Sequence, residues 1–158
     1  PAGAIAEAGH PVSDPLVEED LGEQCFGDWQ GMSYAEVAAD RAGEDHPFWI
    51  APAHYAVPNG ESFATVMARV SDTVLRLSAH HAGRDIVAVA HGGTIRAALG
   101  QALGIEPDQA LSFTVDNLSI TRIDCFHGAG GRMDWCVIGV NLPPSKSAPH
   151  GVVFPPRR

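Results

Sequence analysis

The residues best placed to do chemistry lie in the stretch Ile86-Val87-Ala88-Val89-Ala90-His91-Gly92-Gly93-Thr94-Ile95-Arg96. Five small or β-branched apolar residues run into a histidine. Two glycines then lead into a helical pattern marked by Ile95, Ala98, Leu99, Ala102 and Leu103. An apolar run of this kind reads as a strand buried on both faces, as in parallel sheets. In open α/β sheets, ligands bind outside the carboxyl ends of the strands. A helix N-terminus there presents free N–H groups and the positive end of a dipole to an anion, and glycines let a phosphate come close to the backbone. The segment therefore predicts a phosphate site containing His91, with the Gly92 and Gly93 amides beside it.

The elements that must position this site follow from periodicity. Residues 61–81 form the clearest helix, with Phe63, Val66, Met67, Val70, Val74 and Leu77 on one apolar stripe and Gly83 closing it. A buried strand over 85–90 and a helix over 94–103 follow. Residues 118–126 and 133–140 read as two strands joined by a hairpin turn through the glycine-rich 128–131. Upstream, Ser33-Tyr34-Ala35-Glu36 has the capping-box pattern and opens a short helix to about Ala42, ended by Gly43. Residues 21–32 read as an ordered loop and 15–18 as a short strand. Residues 44–61, with three prolines and Phe48, Trp49 and Tyr55, read as a loop or lid. Residues 1–8 read as a helix stopped by Gly9. A chain that starts inside a helix, without Met, suggests an absent upstream part. The Pro-, Ser- and Lys-containing residues 143–158 read as an extended tail.

Composition narrows the partners. At 158 residues the chain is long enough for one domain with a real core. The net charge is −9 and the only basic pair is Arg157-Arg158, which argues against nucleic acid or an anionic membrane as partner. A local anion site is compatible with an acidic chain. No apolar run approaches the roughly 20 residues of a membrane span, and no signal-peptide pattern opens the sequence. Cys25, Cys125 and Cys136 are odd in number and lack C-x-x-C spacing, as expected for reduced thiols in a cytoplasmic protein. The histidines at 10, 46, 54, 80, 81, 127 and 150 show no ligand spacing, and no zinc, dinucleotide or P-loop pattern is present.

A second block, Leu21-Gly22-Glu23-Gln24-Cys25-Phe26-Gly27-Asp28-Trp29-Gln30-Gly31, precedes the His91 segment. Together the two resemble the signatures of the histidine phosphatase superfamily, the phosphoglycerate-mutase-like proteins: L-x-E-x-x-x-G-x-W-x-G, then a strand ending in H-G-G-x-I-R. Pro58-Asn59-Gly60-Glu61-Ser62 looks like the P-G-G-E-S stretch of the family's small phosphatases, with Asn at the first Gly. The resemblance covers residues 1–142. It implies a three-layer α/β/α domain with a mostly parallel sheet, its first strand missing from the given sequence. It also implies phosphomonoester hydrolysis through a phosphohistidine, with no cofactor or metal, on a small phosphorylated metabolite.

By the same resemblance His91 helps hold the transferring phosphoryl group, and Glu23 is the general acid/base. Gln24, Cys25 and Phe26 line the substrate pocket, while Gly92 and Gly93 contact phosphate. Fixed donors aimed at a phosphoryl transition state lower its barrier. Without that context, His91 could simply end a strand and bond a backbone carbonyl, and Glu23 could be an exposed loop carboxylate. Trp29 is expected in the core. Ser62 reads as a helix N-cap or a site contact. Arg96, a turn inside its helix, stands to reach phosphate or to form a structural ion pair. Asn117 and Asn141 are candidates for holding loops near the site.

One departure matters. The family's nucleophile is the histidine of an R-H-G motif at the end of its first strand, and no R-H-G occurs in these residues. Covalent phosphohistidine catalysis requires that group, so the expectation is that it lies outside the given residues. A non-catalytic phospho-ligand-binding or scaffolding relative is the alternative. A mutase is the other, disfavoured by the short stretch between Glu23 and His91.

Overall fold

The structure, a computed structural model, describes residues 15–41 and 46–144. The expected N-terminal helix, the Gly43 stop and most of the expected tail lie outside these residues. Four helices and one hairpin organise the rest: α1 (Tyr34–Asp40), α2 (Phe63–His80), α3 (Gly92–Leu103), α4 (Pro107–Ala110), β1 (Ile120–His127) and β2 (Met133–Leu142). Short 3₁₀ turns at Glu19–Leu21 and Gly27–Trp29 shape the loop that precedes α1.

Helix starts follow local chemistry. Ser33 accepts from the Glu36 N–H while the Glu36 carboxylate accepts from the Ser33 N–H, which completes the capping box of α1. Ser62 caps α2 by accepting from the Thr65 N–H at 3.1 Å, so its role as an N-cap is the one realised. His91 is the N-cap residue of α3, which begins at Gly92, two residues before the expected start. Gly104, in left-handed conformation, ends α3.

The core forms where α2 meets α3 and α4. Phe63, Val66 and Val70 from the expected stripe pack with Ala53, Ala97, Ala110 and Leu111, and Met67 and Val74 lie partly buried against them. A Cβ on Gly100 would stand 2.7 Å from the Met67 side chain, so glycine there lets α2 and α3 approach closely. A second cluster joins Trp29, Val37, Ala51 and Val57, with Tyr55 stacked on Trp29 at 5.5 Å. Trp29 is buried as expected, and its indole N–H donates to Asp40 at 2.8 Å.

The hairpin is also as expected. β1 and β2 pair antiparallel, Cys125 opposite Trp135 and His127 opposite Met133, and Gly130 and Gly131 in the connection have positive φ. α3 lies against β2. In place of the expected three-layer arrangement with a mostly parallel sheet, the described residues pair helices with one antiparallel two-stranded sheet. Among the described residues no helix is long and apolar enough to cross a membrane.

Two expected strands do not form. Residues 85–90 have no ladder partner, and Ile86, Val87 and Val89 are 45, 76 and 71% exposed instead of buried. Residues 15–18 likewise form no strand, with Leu16 and Val17 exposed. The reason is physical: a strand exists only as a member of a ladder, and the described residues place no neighbour beside either segment. The sheet they form is the two-stranded hairpin alone.

Phe63 fills the centre of the α2–α3 contact. Phe63→Ala is expected to lower unfolding free energy by about 3–5 kcal/mol through lost burial and a residual cavity, as measured by urea denaturation.

Candidate functional site

The Glu23 loop sits between the start of α2 and the start of α3. From the α2 side, Arg69 holds it. Arg69 Nη1 donates to the carbonyls of Asp20 (2.6 Å) and Gly22 (3.1 Å), and Nη2 donates to the carbonyl of Glu23 (3.1 Å). The same guanidinium grips the Glu61 carboxylate through Nε and Nη2, both at 3.0 Å. Every N–H of the fork has an acceptor. Glu61 in turn accepts from the Cys25 N–H at 3.1 Å. Burial would raise the Glu61 carboxyl, but the bonds from Arg69 and the Cys25 amide hold it below the usual carboxylate range. From the α3 side, Thr94 donates its hydroxyl to the carbonyls of Leu21 (3.2 Å) and Gly22 (2.8 Å).

The Glu23 block and the Pro58–Ser62 stretch interlock through their backbones. Asp28 N–H donates to the Pro58 carbonyl (3.0 Å), and Glu61 N–H donates to the Cys25 carbonyl (2.8 Å). A Cβ on Gly27 would lie 2.1 Å from the Pro58 oxygen, so only glycine fits there. Asn59, the departure from P-G-G-E-S, adopts φ 57°, a left-handed conformation that asparagine tolerates better than most residues. Its amide also donates to both Asp28 carboxylate oxygens at 3.0 Å.

With the loop fixed, the Glu23 carboxylate faces the first turn of α3. Its Oε2 lies 4.0 Å from His91 Nδ1. Its Oε1 accepts from the Gln24 N–H at 3.0 Å. A Cβ on Gly93 would stand 2.5 Å from that Oε1, so Gly93 lets the carboxylate reach the helix end. The His91 ring makes no hydrogen bond to the described residues and is 62% exposed. The reading of a histidine that bonds a backbone carbonyl is not what these residues display. The α3 N-terminus adds backbone N–H groups that have no partner within the helix, and Gly93 and Thr94 are buried beside them.

The other expected site residues are distributed around this centre. Gln24 is buried, and its amide is tied on both sides: it donates to the Glu61 carbonyl (2.8 Å) and accepts from the Trp49 indole (3.2 Å). Cys25 is an exposed free thiol. Phe26 packs toward Trp49, with ring centroids 6.5 Å apart. Gly92 and Gly93 lie at the α3 N-terminus as expected. Arg96 makes no ion pair among the described residues. Its guanidinium lies over the Trp49 ring, 4.7 Å from the centroid, and its Nε donates to the Phe113 carbonyl at 2.7 Å. Asn141, in β2, accepts from the Asp116 N–H (2.7 Å) and donates to the Asp116 carboxylate (2.9 Å), which ties the strand to the loop before β1.

No motif or spacing in the sequence marks Arg69, Thr94 and Trp49 as parts of this arrangement. Arg69 borders the apolar stripe of α2, between Val66 and Val70. A cation at the edge of a buried face was the available signal.

A sequence profile of the Histidine phosphatase superfamily (branch 1) matches residues 2–136. A protein of Mycobacterium tuberculosis described as bifunctional is 35% identical over 100 residues, 63% of this chain and 27% of that protein. A glucosyl-3-phosphoglycerate phosphatase of Mycobacterium tuberculosis is 39% identical over 95 residues, 55% of this chain and 42% of that protein. The chain thus spans less than half the length of these relatives. A solved structure of a mycobacterial glucosyl-3-phosphoglycerate phosphatase superposes with TM-score 0.71 at 28% identity, covering 89% of this chain and 70% of that one.

Arg69→Met leaves the loop carbonyls and the Glu61 carboxylate without their donor. The expected loss is about 2–3 kcal/mol near neutral pH, read by urea denaturation. A carboxyl whose folded pKa is depressed stabilises the fold at pH above the usual carboxylate range, and that contribution is lost as pH falls through the depressed value. The gap between the parent chain and Arg69→Met should therefore be full near pH 7 and narrow steadily on acidification.

Proposed function

This chain belongs to the Histidine phosphatase superfamily (branch 1), and on that premise we propose that it carries the acid/base and phosphoryl-binding half of a metal-free phosphomonoesterase. The observation that carries the reading is the meeting of Glu23 Oε2 and His91 Nδ1, at 4.0 Å, over the free amides of the α3 N-terminus. The substrate is a small phosphorylated metabolite, a class supported by the phosphatase name of the relative.

In this reading the phosphoryl oxygens sit against the His91 ring and the Gly92 and Gly93 amides, where donors meet developing negative charge. Gln24 and Phe26 shape the pocket wall through Trp49, and the Cys25 backbone is held by Glu61. A histidine nucleophile, on a segment outside the 158 residues, attacks phosphorus. The ester oxygen departs with the proton of the Glu23 carboxyl. Glu23, now a carboxylate, takes a proton from water as that water attacks the phosphohistidine, which frees the nucleophile and inorganic phosphate.

The unpaired 85–90 segment supports a partner supplied from outside these residues. Its exposed Ile86, Val87 and Val89 are the side chains of a strand that lacks a ladder. His91 stands at the carboxyl end of that segment, where a neighbouring parallel strand would also end and bring its own last residue to the phosphate.

The test uses the gene product extended upstream, with a generic aryl phosphate. Glu23→Gln is expected to slow turnover about 10²–10⁴-fold, and an unchanged rate removes Glu23 from the acid/base role. Activity is expected to survive chelators; its loss would sink the metal-free scheme. Amides of 86–90 are expected to exchange rapidly with solvent in the 158-residue chain and slowly in the extended product, as followed by hydrogen-exchange mass spectrometry.

A further inference from the structure

Trp49 lies on the loop before α2 and meets every element of the site. Its ring edge would stand 4.0 Å from a Cβ placed on Gly93, in the first turn of α3. The Arg96 guanidinium lies over its ring, 4.7 Å from the centroid. That cation is itself anchored, because Nε donates to the Phe113 carbonyl at 2.7 Å. Phe63 of α2 and Phe26 of the Glu23 block pack against the ring at tilted angles, with centroids 6.4 and 6.5 Å away. The loop is also fastened to α4, where the Asp108 carboxylate accepts from the Ala53 N–H at 2.8 Å. The ring is thus fixed by packing, and its single polar atom points at the acid/base block: the indole N–H donates to the Gln24 side-chain oxygen at 3.2 Å.

Gln24 carries that bond onward to the acid. Gln24 is buried, and its Nε2 donates to the Glu61 carbonyl at 2.8 Å. The indole supplies the donor for its Oε1. Its backbone N–H donates to Glu23 Oε1 at 3.0 Å, and the carbonyl of the same peptide accepts from Arg69 at 3.1 Å. A peptide is planar, so one bond to its carbonyl holds it in place but lets it turn about that bond. The Gln24 side chain, tied at both ends of its amide, stops the turn. Without the indole donor a buried amide oxygen has no partner, a costly state that drives the side chain toward water and takes the 23–24 peptide with it. Trp29 provides the contrast within this chain. Its indole N–H ends on Asp40 of α1 and its ring stacks on Tyr55, both in a cluster apart from His91.

We propose that Trp49 is a positioning residue for the Glu23 carboxylate. Its indole N–H, through the Gln24 side chain, fixes the peptide whose N–H holds Glu23 Oε1, and this keeps Oε2 turned toward His91. The inference rests on the acid/base reading of Glu23 given above.

Trp49→Phe keeps an aromatic ring for Arg96 and Phe63 and removes the N–H. In the extended product, with a generic aryl phosphate, it is expected to lower kcat about 5–30-fold, the span of one lost bond that leaves a buried acceptor unpaired, with KM nearly unchanged. Gln24→Met removes the acceptor of the same bond and is expected to lower kcat as well. In the double variant, Trp49→Phe is expected to add no more than about twofold to the loss from Gln24→Met, because both cut one link. An unchanged kcat in Trp49→Phe, a loss confined to KM, or fully additive losses overturn the proposal. A normal kcat in Gln24→Met overturns it even where Trp49→Phe folds poorly. A second readout needs no turnover. In the 158-residue chain, residue-resolved hydrogen exchange is expected to show the Gln24 amide exchanging at least about fivefold faster in Trp49→Phe, while the Val70 amide in the α2 core keeps its protection. Equal protection of the Gln24 amide in both chains overturns the proposal. Should that amide loosen as expected while Glu23→Gln leaves turnover unchanged, the acid/base reading fails and the link from Trp49 to the Glu23 carboxylate stands.

Discussion

Arg69 has five N–H donors, and this structure uses all of them on one loop and one carboxylate. The carbonyls of Gly22 and Glu23 belong to neither helix nor ladder, and that of Asp20 sits in the Glu19–Leu21 3₁₀ turn, whose own bonds use the Glu18 and Glu19 carbonyls instead. Left unpaired in a partly buried place, each would cost free energy comparable to a lost hydrogen bond. Arg69 supplies the missing donors from α2, and Thr94 supplies another from α3. The loop is thereby strung between two helices whose separation is set by Phe63, Val66, Val70, Ala97 and the close approach at Gly100. The place of the Glu23 carboxylate depends on that arrangement, since its backbone is fixed from both sides before its side chain turns toward His91.

The glycines of the two signature blocks acquire distinct reasons. Gly27 lies against the Pro58 carbonyl, which locks the Glu23 block onto the segment leading into α2. Gly93 faces the Glu23 carboxylate, and the missing side chain there admits the protein's own acid to the helix end. Gly92 is bordered by the Arg96 guanidinium. Three elements remote in sequence, the Glu23 loop, the Trp49 loop and the first turns of α3, thus meet around one point, with positive charge, a carboxyl group and free amides in reach of each other.

The apolar segment before His91 has the opposite character. Helix packing needs only the α2–α3–α4 interface, which these residues contain. Strand formation needs a neighbour for every N–H and C=O along one or both edges, and the segment 85–90 has none among the described residues. The β1–β2 hairpin escapes this dependence because a short connection brings its partner from the same stretch of chain. A helical core and a hairpin can therefore be assembled locally, while a parallel ladder cannot.

Much was legible in the sequence because it rests on local rules. The capping box at Ser33, the N-cap at Ser62, the stripe of α2, the hairpin expected over 118–140 and the buried Trp29 are each determined by residues a few positions apart or by one side chain's character. The histidine phosphatase family is likewise carried by two short blocks in order, and the profile match over residues 2–136 agrees with it. The strand expected at 85–90 rests on a run of small and β-branched apolar residues, and such a run states which residues suit a strand without stating whether a partner is present. Arg69, Thr94 and Trp49 stayed hidden because their importance comes from contacts with carbonyls, a carboxylate and a guanidinium distant in sequence, to which no spacing rule applies. The sequence by itself determined which residues cap, turn and bury, and which two blocks carry the likeness to the family. Only the tertiary structure decided that Glu23 and His91 stand 4.0 Å apart and that the Arg96 guanidinium lies over the Trp49 ring, because such distances depend on how helices and loops pack, and packing is a property of the whole chain.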